Sequence, residues 1–195
     1  VYMGKAVGTV NPASGSVGTS ELSATGTKDA TTFLRGDNSF VAPSFGKILQ
    51  VVQTAKTDTF TSSSSSFTDI TGLSVAITPS STSNKVMVIV HTNTSTASGN
   101  NALLRLLRGS TVIAAGDSAG SRPLAFAQTR VNDTNASLAS SVNFLDSPNT
   151  TSATTYKVQM MSQSGTVAIN RTNADSDSSV IGRTISSITA MEVGA

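Results

Sequence analysis

The feature that most limits what this chain can fold into is a change of texture near residue 45. Up to that point apolar residues come singly among Ser, Thr and Gly, and no window repeats them at a core-forming period. Beyond it, short runs of alternating apolar residues follow one another, separated by Ser, Asn, Gly and Asp. Alternation with a period of two marks half-buried strands. The first segment carries too little apolar surface to offset the entropy of ordering it, so it must gain order on other polypeptide. The expected organisation is therefore an extended N-terminal arm over residues 1–45 and an all-β, antiparallel sandwich or jelly-roll-like knob over residues 46–195.

Composition agrees with a folded β block. Of the 195 residues 37% are hydrophobic and only 12% charged, and the formal net charge is +2. A disordered chain would combine few apolar residues with a high net charge. Thr suits strands, whereas Ser, Asn and Gly suit turns, so little helix is expected. With no cysteine and one histidine, neither a disulfide nor a metal site is expected. Lys and Arg are scattered, without the basic run or aromatic ladder of a nucleic-acid reader, and no nucleic-acid partner is expected. No stretch approaches the roughly 18 apolar residues that span a bilayer, so membrane insertion is not expected. The start, Val1-Tyr2-Met3-Gly4-Lys5, lacks the apolar run of a secretory signal.

Strands become readable from Gly46 onward. Candidates are Ile48–Thr54, Phe67–Ile70, Leu73–Pro79, Val86–Thr92, Ala102–Arg108, Thr111–Ala115, Leu138–Phe144, Tyr156–Ser162, Val167–Arg171 and Ile185–Val193. Leu73, Val75 and Ile77 share one face, as do Tyr156, Val158 and Met160. Val86, Val88 and Val90 oppose Met87, Ile89 and His91, so both faces of that strand are largely apolar. Such a strand is central, or is covered by a partner subunit. Gly109-Ser110 between two runs signals a hairpin. Leu103, Leu106 and Leu107 also fit a helical stripe, but the run is too short for a helix. Ser62–Ser66 reads as an exposed loop.

The arm offers few handles. Asn11-Pro12 disfavours a helix, and the large groups at its tip are Val1, Tyr2 and Met3, with Lys5 beside them. These residues are the candidates for docking the arm onto another surface. Leu22, Phe33, Leu34, Phe40, Val41 and Phe45 lie in a segment too short to enclose them. They must bury against the knob or against neighbouring chains. Asp37-Asn38-Ser39 is a plausible turn.

Three stretches, Tyr2-Met3-Gly4-Lys5, LSATGTKDATTFLRGDNSFVAP and SSITAMEV, resemble virion fibre and decoration proteins of tailed bacteriophages. GKILQVVQT with TDTFTSSSSSFTDITGLSVAITPSSTSNKVMV resembles the knob that follows in such chains. The resemblance implies a homotrimer, located on the virion after synthesis in the host cytoplasm, with the arm towards the particle and the knob outward. It supplies no catalytic residues. The chain differs from long tail fibres in having no extended shaft. Fully extended, the arm reaches at most roughly 150 Å at about 3.3 Å per residue. That favours a capsid decoration, or cement, protein whose partner is the major capsid protein. The alternative is a short tail fibre whose partners are tail proteins and a host-surface glycan.

Several motifs invite chemistry without sustaining it. Gly116-Asp117-Ser118-Ala119-Gly120 matches the nucleophile elbow of serine hydrolases, but the single His91 precedes it and no α/β alternation follows. Arg35-Gly36-Asp37 reads as a turn. His91, on an apolar strand, is expected to be a buried, hydrogen-bonded imidazole. Asp175 and Asp177 have the spacing of a calcium loop but lack its glycine and bidentate acid. Glu21 and Glu192 are the two glutamates, thin material for paired carboxylates. No enzyme activity and no cofactor are expected. A carbohydrate-binding β-sandwich remains as a further alternative, although the chain has no Trp and only Tyr2 and Tyr156.

Overall fold

The computed structural model describes residues 24–27, 29–42 and 47–195. The chain divides into two units, Val1–Phe45 and Gly46–Ala195. The arm residues Val1, Tyr2, Met3, Lys5, Leu22 and Phe45 lie outside the described residues.

In the first unit, β1 (Phe33–Leu34) and β2 (Phe40–Val41) form a small hairpin, with Phe33 opposite Val41 and Leu34 opposite Phe40. The turn expected at Asp37-Asn38-Ser39 is present. Asn38 has φ 63°, and the Asp37 carboxylate accepts bonds from Ser39 N (3.2 Å) and Ser39 Oγ (2.6 Å). Arg35-Gly36-Asp37 belongs to this turn, and Arg35 lies 3.8 Å from Asp37.

The second unit is all strand and loop: β3 (Ile48–Lys56), β4 (Phe60–Ser62), β5 (Thr68–Ile77), β6 (Lys85–Thr96), β7 (Asn100–Arg108), β8 (Thr111–Ile113), β9 (Ala127–Val131), β10 (Leu138–Asp146), β11 (Thr154–Ser162), β12 (Val167–Ile169) and β13 (Ser186–Val193). Among the described residues no helix is long and apolar enough to cross a membrane. Every pairing between named strands is antiparallel. One sheet runs β3-β13-β6-β10, and the short strands β4 and β12 continue the β3 and β13 columns beside the upper part of β6. The other runs β5-β11-β7, with β8 and β9 sharing the outer edge of β7. These two orders, β3-β13-β6-β10 and β5-β11-β7-β9, are those of a jelly roll, in which two Greek keys wind round each other.

The core lies between the sheets. Val86, Val88, Val90, Ile188 and Ala190 from the first meet Leu73, Val75, Ile77, Leu104, Leu106, Tyr156, Val158 and Met160 from the second. The alternations read from the sequence for β6, β11 and the second half of β5 thus select the buried faces. The hairpin of β7 and β8 also forms, with Gly109 at φ 58°. A primed two-residue loop requires such an angle.

Two expectations change. Phe67–Ile70 and Leu73–Pro79 are parts of one strand, β5, which crosses Gly72 at φ 80° while its register against β11 shifts between Lys157 and Gln159. Two steps along β11 oppose the five from Asp69 to Ser74, so β5 carries three extra residues in an enlarged bulge without ending. Strands β4 and β9 were not expected; both are short and polar, and both lean on stronger neighbours.

The columns β3/β4 and β13/β12 are both interrupted beside Asn170. This residue is fully buried with φ 63°. Its Nδ2 donates to Lys56 O (2.7 Å) and Asp58 O (3.0 Å), and its Oδ1 accepts from Ser186 Oγ (2.6 Å). Its backbone accepts from Thr184 N (3.2 Å) and donates to Asn93 O (3.0 Å). One side chain therefore closes the neck of the loop 171–185 and bridges the gap between β3 and β4. At the far end of the same sheet, Gly194 N donates to Lys47 O (2.8 Å), so the backbone enters and leaves this unit side by side.

Candidate interaction face

The outer surface of the first sheet departs from what an antiparallel sheet normally shows water. One face of such a sheet is usually polar. Register places Val51, Met191, Met87 and Leu145 in a single row across β3, β13, β6 and β10. The row above it is Gln53, Thr189, Ile89 and Asn143, and the next is Ala55, Ser187, His91 and Ser141. Below the apolar row, Ile48 pairs with Val193. Ile48 and Val51 are each 55% exposed, Leu49 46% and Leu145 44%. Polarity thus rises along the strands, from an oily end to a hydroxyl-rich one.

The hydroxyl-rich end is partly roofed by the chain itself. Ser95 lies on the same side of β6 as Met87 and Ile89, yet it is fully buried, and its Oγ donates to Arg171 O (2.9 Å). Ala174 N donates to Thr134 O (3.0 Å), and the Asp175 carboxylate is held by Arg171 (2.8 Å) and Arg183 (2.6 Å). Loop 171–185 is therefore fastened over one end of the face, while the apolar rows stay open. His91 lies on this face and is exposed, which corrects the expectation of a buried imidazole. Its Nε2 meets Asn93 Nδ2 at 3.3 Å.

The other candidate residues take structural or separate positions. Ser118 is exposed in the loop between β8 and β9, at the edge of the second sheet, whereas His91 sits on the first. Among the described residues no group of acidic or histidine side chains is placed to hold a metal ion. The calcium-like spacing of Asp175 and Asp177 is instead occupied in part by the two arginines on Asp175. Phe33 and Leu34 are 48% and 44% exposed, and Phe40 and Val41 are half-buried. Of the apolar residues expected to need a partner, Phe33 and Leu34 are thus exposed, while Leu22 and Phe45 lie outside the described residues.

Two buried polar clusters went unremarked in the sequence. Glu192 points inward at the base of the core and is 1% exposed. Its Oε1 accepts from Ser80 N (2.7 Å), Ser80 Oγ (2.7 Å) and Asn84 Nδ2 (2.6 Å), and its Oε2 accepts from Gln50 Nε2 (2.6 Å). Burial alone pushes this carboxyl up, but the bonds from Gln50, Asn84 and Ser80 outweigh it and hold the pKa down at about 2. No lysine or arginine among the described residues pairs with it. Neutral donors therefore stabilise the charge and tie the loop between β5 and β6 to the last strand.

In the second cluster, Tyr156 Oη donates to Asp146 Oδ2 (2.7 Å), and both Asp146 oxygens accept from Arg108 Nη1 (2.8 Å each). Burial, then the bond to Asp146, pushes the Tyr156 hydroxyl well above its ordinary value. Tyr156 therefore stays neutral and serves as a strut between β10 and β11.

Comparison with known proteins adds little about role. No family model matches the chain, and no curated protein matches it. Among solved structures, a chain of T=1 particles derived from infectious bursal virus is 11% identical with a TM-score of 0.42, over 79% of this chain and 40% of that one. A chain of infectious bursal disease virus, Gx strain, is 11% identical with a TM-score of 0.41, over 82% and 45% respectively. This chain thus spans less than half the length of either, and likeness at this level carries no weight for function.

Proposed function

We propose that this chain is a structural component of a virus particle, assembling as a homotrimer through the open face of the first sheet. Its N-terminal arm would attach it to the particle. The observation that carries the reading is the apolar row Val51-Met191-Met87-Leu145, which runs the full width of the sheet. Val51 and Leu145 in it are exposed and Met87 and Met191 half-buried, and an apolar strip of this kind marks an association site. This row carries no formal charge; the next one, Ile48–Val193, continues onto the exposed Lys85 of β6. Three copies, as the sequence resemblance implies, would close a ring by heterologous contacts. The jelly roll is a fold used for viral capsid domains, among others. Within this reading the resemblance favours a tailed-phage capsid decoration protein over a short tail fibre.

Light scattering coupled to size exclusion tests the assembly. The wild-type chain should have the mass of three copies, and the double variant Val51→Asp/Leu145→Asp should be monomeric with an unchanged circular dichroism spectrum. A wild type that stays monomeric at micromolar concentration removes the basis of the proposal. Copy number per particle separates the two locations, because hundreds fit a capsid decoration and a few trimers fit a tail appendage.

A further inference from the structure

The outer surface of the second sheet carries a cleft of about 370 Å³, lined by Leu103, Arg122, Pro123, Ala125, Phe126, Ala127 and Gln128. It forms where the loop between β8 and β9 leaves the sheet edge and returns. Phe126 N donates to Leu104 O (2.8 Å) and pins the end of that loop to β7. A turn closed by Arg122 N to Ala119 O (3.2 Å) sets Arg122 on the rim.

The polar groups here are left open in a particular way. Among the described residues no carboxylate pairs with Arg122, and its one side-chain contact is Nη1 to Ala119 O at 3.4 Å. A guanidinium has five N–H donors, so most of them are unengaged. Gln128 sits opposite Leu103 in the β9–β7 pairing. Its Nε2 donates to Asn101 Oδ1 (3.2 Å), which fixes the amide and leaves Oε1 as an unpartnered acceptor. Leu103, Pro123 and Ala125 add apolar lining to the same cleft, while Phe126 packs against the core. A ligand complementary to this set has a carboxylate for Arg122, a hydroxyl that donates to Gln128, and an apolar ring face for Leu103 and Pro123. The volume lies at the small end for ligand pockets, which suits one ring rather than an extended chain.

We infer that this cleft binds a single carboxylated sugar ring. Arg122 takes the carboxylate through charge-assisted, two-pronged hydrogen bonds. The site is on the opposite sheet from the proposed subunit interface, so it does not depend on the oligomeric state.

The test is titration of the full chain with methyl β-D-glucuronide, methyl N-acetylneuraminate glycoside carrying a free carboxylate, methyl β-D-glucoside and acetate. Methyl-group chemical shifts of Leu103, Ala125 and Ala127 provide the readout. At least one acidic sugar should shift these methyls and bind at least tenfold tighter than the neutral glucoside and acetate. Arg122→Gln should weaken that binding at least tenfold, and Ala125→Trp, which fills the cleft, should abolish it. Both variants should keep the wild-type mass and melting temperature, since Arg122 is exposed and Ala125 only half-buried. The inference is overturned if neither acid binds, if glucoside or acetate binds as well as the acids, or if shifts map elsewhere. Unchanged binding by Arg122→Gln overturns it too. Should a variant fail to fold, the wild-type shift map and the acid-to-neutral ratio still decide the matter.

Discussion

Replacing Glu192 by glutamine keeps the shape of the side chain and removes only its charge and one acceptor. The amide oxygen would occupy the Oε1 position, where it keeps the bonds from Ser80 N, Ser80 Oγ and Asn84 Nδ2. Its NH₂ would then face Gln50 Nε2, donor against donor. Gln50 cannot relieve this by turning over, because its Nε2 also donates to Thr78 O at 2.7 Å. One buried donor left unsatisfied costs about 1–3 kcal/mol. The three surviving bonds lose their charge assistance, which roughly doubles the strength of each while present. Together these give a loss of about 3 kcal/mol, or roughly 6–12 °C in melting temperature for a unit of this size. Differential scanning calorimetry at pH 7 and fixed protein concentration measures it. The acid limb gives an independent check. Glu192 is depressed from an ordinary 4.5 to about 2, so its contribution is complete above pH 4.5 and is lost as pH falls through 2. The gap between wild type and variant should therefore close across that window. A variant melting within 2 °C of wild type at pH 7, or a gap independent of pH, refutes the reasoning.

Asn170→Ala removes three side-chain bonds and places alanine in the left-handed region, so it should cost about 3–5 kcal/mol by urea denaturation. Tyr156→Phe leaves Asp146 with Arg108 but without its hydroxyl donor, and a loss of about 1–2 kcal/mol is expected in the same assay. Gly72→Ala should cost about 1–2 kcal/mol from its positive φ alone, visible as a lower melting temperature with unchanged oligomeric mass.

Much of the barrel-like winding was foreshadowed by local pattern, and most of the chemistry was not. Strand β11 announces itself because Tyr156, Val158 and Met160 alternate with Lys157 and Gln159, and β6 because its valines form an unbroken every-other-residue series. Strand β5 reads as two strands because the bulge at Gly72 breaks the alternation, although pairing with β11 resumes on both sides of it. Strand β9, Ala-Gln-Thr-Arg-Val, has too little apolar content to stand out, and it is a strand because β7 offers it an edge. The two-faced character of β6 was readable and pointed to the interaction face. The row joining Met87 to Val51, Met191 and Leu145 was not, since it depends on register between strands far apart in sequence. Glu192 illustrates the limit most clearly. Its donors lie 108 to 142 residues away, and no local pattern around Ala-Met-Glu-Val forecasts a carboxylate saturated by neutral groups.

Strand β13 lies between β3 and β6, both of which precede it in the chain. Until residue 193 has cleared the ribosome, the facing edges of both lack the strand that hydrogen-bonds between them. The nascent knob therefore waits, with its oily rows uncovered, for nearly its whole translation. Closure must then be a late, long-range event, of the kind that is slow and exposed to clumping. A sequence so short of charge and so full of serine and threonine keeps the waiting polypeptide wettable without locking it into premature ion pairs.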